Sequence, residues 1–83
     1  MFKQQYEGFV LIIKPNNKII SRIPCTTLER CYELAKFEIP LKYHMLITEQ
    51  EFERRLKEFN YTNITYFRDE RSGYRIGLIR LIC

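Results

Sequence analysis

The sequence predicts a small α+β domain in two layers, an antiparallel sheet of four or five strands with two helices on one face, in the order β-β-α-(β)-α-β-β. Three observations carry this. Residues 61–83, YTNITYFRDERSGYRIGLIRLIC, hold two runs rich in Ile, Leu, Tyr and Phe around a charged, glycine-containing turn from Asp69 to Gly73, which is a hairpin pattern. A second pair of strand-like runs precedes Pro24. Between the two pairs lie two stretches with helix-start chemistry and helical spacing of apolar residues.

The first strand is expected over YEGFVLII, Tyr6 to Ile13, ended by Lys14 and a Pro15-Asn16-Asn17 turn. In KIISRIP, Lys18, Ile20 and Arg22 alternate with Ile19, Ser21 and Ile23, so one basic wet face and one buried face are expected, with Pro24 stopping the ladder. Thr26 and Glu29 have capping-box spacing, which starts a helix. Its stripe is Leu28, Cys31, Ala35 and Glu38, widened by Tyr32 and Leu34, and Pro40 is expected to end it. The segment Leu41 to Ile47, LKYHMLI, reads over residues 43–47 as a short strand in preference to an extended connector. Thr48 and Glu51 form a second capping box, acidic residues fill the first turn, and Phe52, Leu56 and Phe59 form the buried stripe of a second helix with Asn60 as its C-cap. Gly73 suits a left-handed turn position, and Gly77 marks a bulge or a close backbone approach.

Eighty-three residues, 46% of them apolar, make one domain, residues 1–83, with enough bulk for a single core. No apolar run approaches the roughly eighteen residues of a membrane span, and MFKQQYEGFVLIIKPNN lacks the cleavage signature of a secretory leader. A cytoplasmic protein without a membrane partner is the expectation. Two formal glycosylation sequons, at Asn60 and Asn63, are then coincidental. Cys25, Cys31 and Cys83 are odd in number and form no CxxC, so reduced thiols are expected, with no metal site and no cofactor.

The formal charge of +4 is unevenly placed. Residues 1–25 carry Lys3, Lys14, Lys18 and Arg22 against Glu7, and residues 61–83 carry Arg68, Arg71, Arg75 and Arg80 against Asp69 and Glu70, whereas the central stretch is slightly acidic. The excess positive charge therefore falls on the expected strands, where it favours an acidic or phosphate-bearing partner.

Catalytic groups are not evident. His44 is the single histidine, no Ser-Asp or Cys partner spacing accompanies it, and the scattered glycines build no phosphate loop. No catalytic residue is assigned. The leading expectation is a non-enzymatic interaction protein, an inhibitor or regulator of a nucleic-acid-handling complex of the kind phages and mobile elements carry, which docks on a protein or ribonucleoprotein through a basic sheet face or a helix. Its expected contacts are Lys18, Arg22, Tyr66, Arg68, Arg71, Tyr74, Arg75 and Arg80. A second reading is direct binding of single-stranded RNA or DNA, with Tyr66 and Tyr74 as stacking surfaces beside the same arginines. A small metal-independent ribonuclease built from Tyr66, Arg68, Tyr74, Arg75 and His44 is a third. The apolar final strand must be central in the sheet or have its edge covered, for instance in a symmetric homodimer.

Overall fold

The computed structural model describes residues 8–81. Four strands, β1 (Gly8–Ile13), β2 (Ile19–Cys25), β3 (Ile64–Arg68) and β4 (Arg75–Arg80), form one antiparallel sheet in the order β2-β1-β4-β3. The expected α+β architecture is present with four strands. Because β4 lies between β1 and β3, its Ile-rich backbone is paired on both sides, so of the two expected arrangements the central one is present and β4 has no open edge to cover. The expected strand residues Tyr6, Glu7, Ile82 and Cys83 lie outside the described residues.

The helical layer covers one face. Its first helix consists of α1 (Leu28–Glu33), a π-helical turn (Leu34–Glu38) and α2 (Ile39–Tyr43), joined through residues that all keep right-handed helical dihedrals. Pro40 therefore does not end the helix. The Ile39 N–H reaches Leu34 O, five residues back, and this wider turn sits where the proline ring would otherwise meet the carbonyl four residues before it. The helix ends one turn later, where His44 adopts a left-handed conformation (φ 54°) and the Met45 N–H returns to Pro40 O at 2.9 Å. Residues 43–47 are thus a helix end and a linker. The strand expected there is absent because a lone Met-Leu-Ile trio does not outweigh a helix that passes through its proline.

The second helix, α3 (Glu49–Tyr61), begins at Thr48, whose hydroxyl accepts from the Glu51 N–H at 3.1 Å, as the capping box predicts. It ends at Thr62 rather than Asn60. For α1 the cap is Thr27, accepting from Arg30 N–H at 3.1 Å, one residue later than the Thr26 box implies.

The core lies between the layers. Val10, Ile12, Phe67, Ile76 and Leu78 point from the sheet toward Cys31, Ala35, Ile39, Phe52 and Phe59. Phe52 and Phe67 stack with ring centroids 4.5 Å apart. Asp69 closes the far end. Its buried carboxylate accepts from the Leu46 N–H at 2.7 Å, the Ser72 N–H at 3.1 Å and the Ser72 hydroxyl, while Arg71 donates to the His44 carbonyl at 3.0 Å. The β3–β4 turn thereby clasps the linker between α2 and α3.

Candidate functional site

The face of the sheet that no described helix covers follows from strand parity. Val10 and Ile12 enter the core, so Phe9, Leu11 and Ile13 point the other way, and the register aligns them with Ile79, Gly77 and Arg75 of β4. On β3 the same parity exposes Ile64, Tyr66 and Arg68, with Tyr66 opposite Gly77 and Arg68 opposite Arg75. Arg22 of β2 completes the row through Leu11, Gly77 and Tyr66.

Two guanidinium groups on this face are held against rings. Arg22 lies over Phe9 at 3.9 Å from its centroid, and Arg75 lies over Tyr66 at 5.2 Å while also donating to the Asn17 side chain. Asn17 can present that oxygen because it occupies a left-handed position (φ 69°) in the β1–β2 turn. Between the two stacks Gly77 leaves a low floor. A Cβ at that position would lie 3.4 Å from both Leu11 and the Tyr66 ring, so the tyrosine lies flat across the strand.

Charge separates the layers. None of the four strands contains an acidic residue. Among the described residues every ion pair belongs to the helical layer, linking Arg30 to Glu33 and Glu38, Lys36 to Glu49, and Arg54 and Arg55 to Glu51 and Glu58. Arg22, Arg68 and Arg75 face no carboxylate within ion-pair distance there. Arg68 and Arg75, directly opposed, form a like-charge cross-strand pair, an arrangement that costs stability.

The structure divides the residues singled out in the sequence. Arg22, Tyr66, Arg68 and Arg75 share the sheet face opposite the helices, and Lys18 sits exposed in the turn beside Asn17. Tyr74 and Arg80 have the parity of Ile76 and Leu78 and lie on the helical side. Tyr74 packs against the core, and Arg80 lies over the Phe59 ring at 4.3 Å. Burial pushes the Tyr32 phenol upward while the Arg80 charge acts the other way, which also places Arg80 beneath the helices. Arg71 is engaged in the clasp on His44. His44 ends α2 and Tyr74 lies on the helical side, whereas Tyr66, Arg68 and Arg75 share the opposite face of the sheet, so the five groups of a ribonuclease reading do not share one face.

The sequence did not single out Phe9, Leu11 and Asn17. GFVLII is apolar at every strand position after Gly8, so its two faces carry no alternation to tell them apart. Asn17 reads as turn chemistry alone until the register brings Arg75 beside it. No family model matches the chain, and no curated protein or solved structure matches it.

Proposed function

We propose that the protein is a non-enzymatic interaction module that grips the acidic surface of a larger assembly, a ribonucleoprotein or other nucleic-acid-handling complex, through the sheet face opposite the helices. By occupying that surface it inhibits or regulates the assembly. One observation carries the reading: among the described residues the sheet face presents arginines without carboxylates, whereas Arg30, Arg54 and Arg55 of the helical layer are already paired. A face that meets an anion only on binding retains its donors for that partner, and guanidinium groups suit both carboxylate and phosphate oxygens. Arg22 and Arg75 are further pre-positioned by Phe9, Tyr66 and Asn17, which reduces the ordering cost of docking.

The test separates the face from the total charge. A triple reversal, Arg22→Glu, Arg68→Glu and Arg75→Glu, should elute from an immobilised sulfated polysaccharide at much lower salt than a triple reversal of equal charge on the helical layer, Lys42→Glu, Arg54→Glu and Lys57→Glu. Equal loss of retention in both would mean that net charge acts and the face does not.

A further inference from the structure

Resting on the docking reading above, we infer that the component gripped is a single-stranded polynucleotide, with Arg68 and Arg75 clamping one phosphodiester and Arg22 a second. The opposed pair Arg68 and Arg75 is the strongest sign. Two guanidinium groups in register, with no acid on any strand, place like charges side by side, and an anion between them converts repulsion into two charge-assisted contacts.

The surroundings of these cations distinguish phosphates from carboxylates. An acidic peptide needs only charge, whereas this face alternates charge with flat apolar surface: the Tyr66 ring lying over Gly77 and the Phe9 ring beneath Arg22. Bases stack on aromatic rings and equally on guanidinium planes, so the two ring-and-guanidinium stacks offer base platforms beside phosphate donors. Duplexes bury their base faces in their own stacks and cannot use such platforms. A single strand running across β2, β1, β4 and β3 meets Arg22 first and then Tyr66 and Arg75, above the buried Leu11 and Gly77.

Fluorescence anisotropy with a labelled oligothymidylate and an oligouridylate, each also competed by polyglutamate, tests this on the full chain. With two phosphates neutralised, the log-log salt slope should be about −1.4, so affinity falls roughly 7-fold between 50 and 200 mM salt. Arg68→Gln, which leaves Arg75 alone on the shared phosphate, should flatten the slope by at most about 0.7, and Tyr66→Leu, which keeps bulk but removes the stacking ring, should weaken binding by about 5- to 150-fold. Arg68→Glu guards against misfolding as an explanation, since it replaces a like-charge pair with an opposite one and should unfold at an unchanged or higher urea concentration while losing oligonucleotide affinity. Polyglutamate binding that Arg68→Gln weakens, with no oligonucleotide binding, overturns the polynucleotide and leaves the docking reading intact. Absence of binding to both polymers overturns both. Oligonucleotide binding indifferent to Arg68 and Tyr66 overturns the assigned site.

Discussion

Asp69 is the residue on which two parts of the chain depend. Burial alone would push its carboxyl upward, but the Ser72 hydroxyl, the backbone N–H groups of Leu46 and Ser72, and the charge of Arg71 together hold it below the usual carboxylate range. A group depressed in this way stabilises the fold above its unfolded-state value, and that contribution is lost as pH falls through the folded-state value, because the unfolded chain then binds the extra proton. Glu51 behaves alike. There burial is outweighed by Arg54, the Arg68 N–H and Arg55. Asp69→Asn keeps the shape but mismatches at least one of the three donors, so near neutral pH it should lower the unfolding free energy by about 1 to 3 kcal/mol. Urea titrations of Asp69→Asn and the parent should converge below about pH 4, the ordinary carboxylate range, since Glu51 titrates in both. Curves that stay parallel from pH 7 to pH 3 would remove Asp69 as the source.

Among the elements, the caps test how far local chemistry sets the helix starts. Thr27 accepts a first-turn N–H in α1, while Thr26 makes no such bond among the described residues. Thr27→Ala should therefore cost about 1 kcal/mol and Thr26→Ala should stay within about 0.5 kcal/mol, measured by urea unfolding. The reverse order would shift the helix start by one residue. Hairpins, caps and helical stripes were legible in the sequence because each is written in neighbouring residues, as at Thr48 and along Phe52, Leu56 and Phe59. Other features depend on what lies across from them. The π turn that carries the helix past Pro40 appears only once α1 and α2 are packed as one helix. The β2 alternation fails at its start because a register shift opposite Ile12 and Ile13 leaves both Ile19 and Ile20 largely exposed. Pro24 stays inside β2 because β2 is an edge strand, where a missing donor is tolerated. The site was legible in its residue types and only in part in its grouping, since β4 places Arg75 on one face and Arg80 on the other, with Tyr74, just before the strand, on the side of Arg80.

At the scale of the whole molecule, the sheet has two edges and blunts both. Ladder bonds from Asp69 N–H to Tyr74 O and from Arg80 N–H to Asn63 O set the alternation, so Ile64, Tyr66 and Arg68 direct their backbone groups outward. The Thr62 hydroxyl donates to the Ile64 carbonyl at 2.8 Å, and Glu51 accepts from the Arg68 N–H at 3.4 Å. The β2 edge carries Pro24 and the register shift. Thr62→Val with Glu51→Ala should bare the β3 edge and raise the light-scattering mass with concentration, whereas the parent mass should not rise. An unchanged mass in the double variant would mean that these caps do not guard the edge. The placement of β4 has a kinetic consequence as well. Each hairpin forms from near neighbours, but their union requires Ile12 to meet Ile76 across most of the chain, with both helices folded into the intervening loop. The entropy of that closure must be met before either hairpin has a second partner. Folding speed therefore hangs on the β1–β4 seam, and the floor beneath Tyr66, built from Leu11 on one side of that seam and Gly77 on the other, cannot exist until it has closed.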